Sequence, residues 1–232
     1  MKSLFVSVAC VFVLGTVATM PATGQARLWE EPGRCDRDCL NGMVDSCLDA
    51  IVAHDPDAAP LSSDIRYTQN TELLSVGEGL WETATASSAT FRIYVPDPVA
   101  RQVGLMGVLE TGDSAVMLAL RLKVENDEIV EAEHMVANVG ENSLANLERP
   151  RPGLTGTLPP WDRVPRELPL IIGASYYDSI EQSDGSATLY AEECERHENG
   201  MITAGGTGLG RGGQPRAGCH DSDEQPDLHL HR

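Results

Sequence analysis

Residues 114–139, SAVMLALRLKVENDEIVEAEHMVANV, are the stretch that decides the fold. Apolar and polar side chains alternate on both sides of Asn126-Asp127, which is typical of two half-buried strands joined by a tight turn. The length of that turn matters, because a slip of one residue moves every side chain of the second strand to the other face of the sheet. The stretch therefore predicts an antiparallel hairpin with two possible registers.

The two registers of this hairpin bury different side chains. A two-residue turn pairs Leu120 with Glu133, whereas a turn one residue longer exchanges the two faces. The apolar content of the second strand favours the longer turn, and the residues then directed inward are Val130, Ala132, His134 and Val136. Glu131 and Glu133 would lie outside beside Arg121 as a cross-strand charge cluster. We therefore expect His134 to face the interior of the protein.

Three further segments upstream of this hairpin are strand candidates. They are IRYTQNTELLSV at 65–76, ATFRIYVPD at 89–97 and RQVGLMGVLET at 101–111. Turn signals rich in Gly, Pro and Asp separate the last two segments from each other and from the hairpin. Strands that follow one another through short turns predict a strongly bent antiparallel sheet.

A helix is predicted ahead of the sheet, over 36–53. Its apolar residues recur at spacings of three and four and form one stripe, consisting of Leu40, Met43, Val44, Cys47, Leu48 and Ile51. The stripe needs a partner surface, and the concave face of the bent sheet is the natural one. The predicted fold class is therefore α+β, with the sheet packed on helices.

The second half of the chain repeats the first in part. Residues 44–70 and 173–199 match without a gap at a spacing of 129, with identity at six of 27 positions. We interpret 35–140 as one domain, followed by a Pro-rich linker at 141–165. Residues 166–204 are then an incomplete second copy that begins with a helix at 166–182, which we expect to pack against the first sheet.

The two ends of the chain read as non-globular. Residues 1–26 have the charge, apolar run and small residues of a signal peptide, which predicts a secreted or periplasmic protein. An uncleaved membrane anchor is the alternative, although the apolar run is short for a span. The Gly-rich, polar tail at 205–232 is predicted to be disordered.

The whole chain has a formal charge of −18, which argues against nucleic acid as a partner, since phosphate backbones would be repelled.

Five cysteines remain after removal of the predicted signal peptide. Cys47 lies on the apolar stripe and is expected to be a free, buried thiol. The other four are predicted to form two disulfides that tie the second copy to the first helix, and these are Cys35, Cys39, Cys194 and Cys219. Their connectivity stays open, with Cys39–Cys194 preferred. A zinc site that adds His220 is the alternative, but the spacing matches no standard zinc motif, and no metal is predicted.

Several short motifs together resemble a known superfamily. The chain has Cys-x-x-x-Cys-Leu from residue 35, AHDP from 53, Tyr-Thr-x-Asn from 67, Gly-Leu-Trp from 79 and ENGM from 198. With the RLKVENDEIVEAEHMV strand pair, these segments resemble secreted members of the NTF2-like, SnoaL-like superfamily, over 35–140 and in part over 166–203. The resemblance implies a cone-shaped sheet around a closed-ended pocket. Members include ketosteroid isomerases, polyketide cyclases, dehydratases, epoxide hydrolases and proteins that only bind.

This resemblance implies acid–base chemistry without a cofactor. We expect a lyase, isomerase or hydratase that acts on a small, partly apolar molecule, because such a pocket can hold a base and a hydrogen-bond donor away from water. His134 would be the base or acid, Tyr67 the donor and His54 a secondary candidate. Trp81 and Asn70 are the expected ligand contacts. The alternative is a non-catalytic module that binds a small molecule or forms a homodimer through its sheet.

Each of these residues also has a purely structural interpretation. His54 beside Asp55 suits a helix C-terminus, where basic groups are favoured. Tyr67 and Trp81 could be core residues. Asn70 recurs as Asn199, which favours a turn that bonds the backbone.

Overall fold

The computed structural model describes residues 35–112, 114–191 and 194–205. The predicted signal peptide, Cys219 and the tail beyond Gly205 therefore lie outside the described residues. Over the described ranges, no helix is long and apolar enough to cross a membrane. In chain order the elements are α1 (Arg37–Ala53), β1 (Leu61–Gln69), β2 (Glu72–Leu74), α2 (Leu80–Thr83), β3 (Ala86–Asp97), β4 (Gln102–Thr111), β5 (Ser114–Glu125), β6 (Glu128–Val139), α3 (Glu141–Leu144), α4 (Pro152–Thr155), α5 (Glu167–Gln182), β7 (Glu195–Glu198) and β8 (Met201–Gly205).

Six strands form one mixed sheet in the order β2-β1-β6-β5-β4-β3. Strands β3 to β6 are antiparallel neighbours, as predicted. Strand β1, however, runs parallel to β6, so the prediction of a fully antiparallel sheet was wrong. No hairpin joins β1 to β6, and turn geometry therefore does not dictate their relative direction. The predicted strand at 65–76 is also divided, because Asn70 and Thr71 adopt positive φ angles and turn the chain into β2.

The β5–β6 hairpin has a two-residue turn and a β-bulge. Asn126 and Asp127 have φ angles of 50° and 64°, as a tight hairpin turn requires. Lys123 lies opposite Glu131 and Val124 opposite Ile129, so that Val130 is the extra residue. This bulge exchanges the two faces of the strand, which is the effect we had predicted from a longer turn.

The bulge directs the side chains of β6 largely as predicted. Ala132 and His134 are buried on the inner face, where His134 lies opposite Leu120. Glu131 and Glu133 lie outside and accept hydrogen bonds from Arg121, at 2.5 and 2.8 Å. Val130 was predicted to face inward but is only half-buried, because it is the extra residue of the bulge. Ile129, opposite Val124, takes the buried position instead.

Helix α1 covers the inner face of the sheet. Its stripe is buried as predicted except at Met43, which is half-buried, and it packs with β-strand residues that include Leu105, Leu118, Leu120 and Leu122. Burial of each such side chain contributes about 1.5–3 kcal/mol. A polar contact fixes the helix on β3, since Asp45 Oδ1 accepts hydrogen bonds from Arg92 (2.7 Å) and Tyr94 (2.5 Å). Cys47 is a free, buried cysteine, as predicted.

The N-terminus of α1 carries a disulfide between two of the four cysteines predicted to be bonded, in a pairing that the sequence had left open. Cys35 is bonded to Cys39 one helical turn away, with their Cα atoms 5.2 Å apart, within the usual range for a bridge. The preferred Cys39–Cys194 pair was therefore wrong, and the Cys35–Cys39 bridge does not connect α1 to residues 166–204, the segment predicted to be a second copy. The spacing of four residues at a helix start places the two sulfurs close together without any help from tertiary structure. Cys194 is also disulfide-bonded.

Helix α5 is the predicted second helix, but it is not packed as predicted. Its large apolar side chains are mostly exposed, and Ile171 and Tyr177 are 63% and 72% accessible. The residues at the positions of Leu40 and Val44 of α1, 129 further along, are Pro169 and Gly173. Without those two side chains the stripe is interrupted, and α5 lacks a continuous face to bury.

The segments 44–70 and 173–199 share the same backbone geometry where their helices end. Both helices end on a left-handed residue, His54 and Ser183, with φ angles of 55° and 51°. In each segment an Asp follows, whose side chain accepts a backbone N–H two residues on, at 3.2 Å for Asp55 and 2.9 Å for Asp184. A single 3-10 turn comes next in both. The same turn chemistry is therefore used twice, 129 residues apart.

The difference in burial between the two helices leads to a stability prediction. Ile51→Ala should lower the free energy of unfolding by about 2–5 kcal/mol, because Ile51 is fully buried. Ile171→Ala on α5 is the matched control and should change it by less than about 0.5 kcal/mol. Urea unfolding followed by circular dichroism measures both values. Equal losses would contradict the exposed placement of α5.

Candidate functional site

The main sequence-predicted site residues lie in the core between α1 and the sheet. Tyr67 and His134 are each 1% exposed, and their rings meet edge to face with centroids 4.9 Å apart. The Tyr67 hydroxyl donates a hydrogen bond to Gln69 Oε1 at 3.1 Å. Burial raises the pKa of Tyr67, with smaller contributions from Cys47 and Glu78. The structure therefore brings the predicted pair together, but among packed apolar side chains.

His134 has no polar partner in this core. Neither ring nitrogen is hydrogen-bonded to any of the residues that the structure describes. Burial lowers the pKa of His134 to about 4, so the imidazole is neutral near pH 7. An unpaired N–H in such a place costs free energy, which makes His134 a weak point of the core.

The other three predicted residues make contacts within the protein. Trp81 is 3% exposed and packs in the core. His54 caps α1, and its Nδ1 donates to the Trp81 backbone oxygen at 2.5 Å, because a carbonyl can only accept. Asn70 bonds both backbone groups of Val136, at 2.8 and 3.2 Å, and so extends the β1–β6 pairing. These contacts match the structural interpretation of each residue.

A pocket lies on the opposite, outer face of the sheet. Met117 and Met106 belong to this face, since they alternate with the inner Leu118 and Leu105 along β5 and β4. The pocket has a volume of about 660 Å³, within the usual range of small-molecule sites. The residues that line it are Phe91, Ile93, Met106, Met117, Asn146, Leu147, Arg149, Arg151, Leu154, His197, Glu198, Asn199 and Gly200.

Two segments outside the sheet form the walls of this outer pocket. The β7–β8 turn has positive φ angles at Asn199 and Gly200. A side chain at Gly200 would come within 2.8 Å of the Ser143 backbone oxygen, so only glycine allows the turn to approach residues 143–147 this closely. Asn146 Nδ2 also donates to the Gly200 backbone oxygen at 2.7 Å. The hairpin and the segment after β6 are therefore held together over the sheet.

His197, which lines the outer pocket, is paired with the carboxylate of Glu195, which does not line it. His197 Nε2 lies 2.5 Å from Glu195 Oε1, and Arg151 Nη1 lies 3.1 Å from the same oxygen. The hydrogen bond from His197 lowers the pKa of Glu195, and the positive charge of Arg151 lowers it further. Glu195 is then an ionised acceptor, so Nε2 carries the proton and Nδ1 of a neutral His197 carries the lone pair. A histidine held in one tautomer is a usable general base.

The sequence did not lead us to this outer pocket. Residues 146–154 were interpreted as a linker and 195–200 as the end of a partial copy, so their side chains were not considered together. Of the lining residues in these two segments, Glu198, Asn199 and Gly200 were named, but only as part of the ENGM motif and, for Asn199, as the repeat of Asn70. Within the described ranges, no group of three or more His, Cys, Asp or Glu residues is placed to hold a metal ion.

Comparisons with known proteins return distant matches. The model of a family described as a domain of unknown function (DUF8021) matches residues 162–229, under a third of the chain. No curated protein matches the sequence. A candidate ketosteroid isomerase from Kribbella flavida is 16% identical, with 58% of this chain and 96% of that chain covered and a TM-score of 0.36.

Two further solved structures show likenesses of similar size. A de novo designed protein with a curved β-sheet is 15% identical, with 44% and 88% of the two chains covered and a TM-score of 0.37. AclR, a candidate hydroxylase from Streptomyces galilaeus, is 15% identical, with 64% and 98% covered and a TM-score of 0.35. At these identities and TM-scores the likenesses carry no argument about activity.

The depressed pKa of His134 predicts a pH-dependent loss of stability. The unfolded chain binds a proton on this histidine below about pH 6.5, whereas the folded chain does so only below about pH 4. The free energy of unfolding should therefore be unaffected above pH 7 and fall by about 3 kcal/mol between pH 6.5 and pH 4. His134→Leu removes the titrating group and the unpaired N–H, and should be free of this loss.

Unfolding of both proteins by urea at several pH values measures the effect. The difference between the two curves isolates His134 from carboxylates whose protonation also destabilises the fold at acid pH, such as Glu131 and Glu133, whose pKa values are lowered by Arg121. Parallel curves for the two proteins would contradict the prediction.

Proposed function

We propose that the outer pocket binds a small, partly apolar molecule and carries out acid–base chemistry on it through His197. The observation that carries the proposal is the 2.5 Å contact between Nε2 of His197, which lines this pocket, and Glu195 Oε1. The reaction class is the one expected from the sequence, a lyase, isomerase or hydratase without a cofactor. The residues differ, because His134 and Tyr67 are enclosed in the core.

The proposed chemistry follows from the roles of three side chains. Glu195 accepts the Nε2 proton and holds the imidazole in one orientation, as carboxylates do for catalytic histidines. Nδ1 of His197 takes a proton from the bound molecule, and the imidazolium that forms is stabilised by the carboxylate beside it. Arg151 keeps Glu195 ionised. The imidazolium then returns the proton at a second position of the molecule or to its leaving group.

A binding protein without catalysis is the second candidate function. It is favoured by the many apolar side chains of the pocket and by the mutual pairing of Glu195, His197 and Arg151, which leaves few polar groups without a partner. In that case the three residues only close one wall. Homodimerisation through the sheet stays a prediction.

We also propose that the mixed sheet covered by α1 is an NTF2-like fold, and that α5 to β8 is an incomplete duplicate of its first elements. Support for the duplication comes from the matched cap, Asp turn and 3-10 turn of the two segments. Secretion is proposed from the N-terminal sequence alone, on the character of residues 1–26.

Deuterium exchange is the sharpest test of the proposed chemistry. Small carbonyl and hydroxy compounds that raise the melting temperature would be incubated with the protein in D₂O, and their C–H positions followed by NMR. We expect exchange at a carbon next to a carbonyl group. His197→Gln should slow it by about 100-fold or more, since positioned acid–base groups contribute about 10²–10⁴-fold. Glu195→Gln should also slow it, because the amide can donate to Nε2 and favour the other tautomer.

Glu72→Gln is the control for loss of charge. Glu72 is an exposed residue of β2 outside the pocket, and its variant should retain the wild-type exchange rate. A compound that binds in the pocket but shows no exchange above background would decide for the binding module. Full exchange by His197→Gln would show that His197 is not the base.

A further inference from the structure

The outer pocket combines an apolar floor with cationic side chains at its wall. We infer that its ligand is an amphipathic monoanion, with an apolar chain or ring on the floor and a single negative group at Arg149. This inference rests on the proposed function in that it concerns the same pocket. It is independent of whether His197 performs chemistry.

The floor is built from three neighbouring strands. Phe91 and Ile93 come from β3, Met106 from β4 and Met117 from β5, and Leu147 packs against them from the segment after β6. Leu154 of α4 lines the pocket as well, although it is 48% exposed. Unbranched, polarisable methionine side chains adapt to ligands of different shape. The floor therefore suits a flexible hydrocarbon body.

The charges around the pocket leave one cation without a counter-ion. Arg151 pairs with Glu195 at 3.1 Å, and Arg196 pairs with Glu198 at 3.0 Å. Arg149 also lines the pocket but forms no ion pair or side-chain hydrogen bond with any residue that the structure describes. The carboxylates of Glu195 and Glu198 are thus already paired, whereas the guanidinium group of Arg149 is not paired with any described residue.

The chain is acidic, with 35 acidic against 17 basic side chains. An anion is therefore repelled from most of its surface and needs a cation such as Arg149 in order to bind. A guanidinium group offers two parallel N–H donors that match the oxygens of a carboxylate or a sulfate. Glu198, the acidic residue that lines the pocket, is already paired with Arg196 and so offers little to a cationic ligand. An anionic head group with an apolar body fits both parts of the pocket.

Displacement of a fluorescent fatty acid tests this inference. The probe is undecanoic acid labelled with a dansyl group, whose emission rises when the apolar part leaves water. The competitors are decanoate, decyl sulfate and decanol, which share a chain length and differ in head group. We expect decanoate to compete about ten-fold or more better than decanol, since a charge-assisted hydrogen bond is worth that factor or more. The sulfate arm distinguishes recognition of charge alone from recognition of a carboxylate.

Two pairs of matched variants locate the bound anion. Arg149→Gln should weaken decanoate about ten-fold or more and leave decanol unchanged, whereas Arg101→Gln removes a charge from an exposed arginine in the β3–β4 turn, outside the pocket, and should change neither. Met106→Glu should weaken the binding of the labelled fatty acid and of decanoate, because it places a negative charge on the floor of the pocket. Met135→Glu is its control, because Met135 is an exposed methionine on the same sheet face that does not line the pocket.

The outcomes separate this inference from the proposed function. Equal competition by decanoate and decanol, with no effect of Arg149→Gln, would overturn the anionic ligand and leave the pocket in place. Probe binding that is insensitive to Met106→Glu would place the probe elsewhere and would also overturn the inference. Absence of saturable probe binding would overturn it too, while His197-dependent deuterium exchange on neutral compounds would still support the proposed function.

Discussion

The bulge at Val130 is the constraint on which the rest of the structure depends. Without it, the two-residue turn before β6 would place Glu131 and Glu133 in the core and Ala132 and His134 outside. Buried carboxylates without partners would cost far more free energy than one extra residue in a strand. The bulge also sets which side chains of β6 meet β1. Because Ala132 faces inward, it lies beside Tyr67 on the inner face.

Elements bounded by local signals were predictable, and elements that depend on distant partners were not. The helix at 36–53 and the strands β4 to β6 were placed within about a residue, because the apolar periodicity and the turn residues are read locally. The parallel placement of β1 depends on contacts that no local pattern encodes. The exposure of α5, in contrast, follows from Pro169 and Gly173, which interrupt its apolar stripe and to which the prediction gave too little weight. The inner face of β6 was predicted from apolar content, although through a longer turn rather than a bulge.

The candidate site was missed for a related reason. Its floor comes from the outer face of β3, β4 and β5, and its walls from segments about 40 and 90 residues further along the chain. Sequence reasoning favoured His134 and Tyr67 because their residue types suit catalysis, and burial in the core was the simpler explanation for both. The residues that do surround a cavity belong to an irregular segment and a short hairpin, where periodicity gives no information.

The parallel pairing of β1 with β6 has a consequence for the order in which the protein forms. Strands β3 to β6 can associate one after another as they emerge from the ribosome, because each pairs with its predecessor. Strand β1 is made first but has to wait until about 60 more residues have been synthesised before its partner exists. During that interval β1 has no strand partner other than β2. Long-range pairing of this kind slows folding and exposes the nascent chain to aggregation.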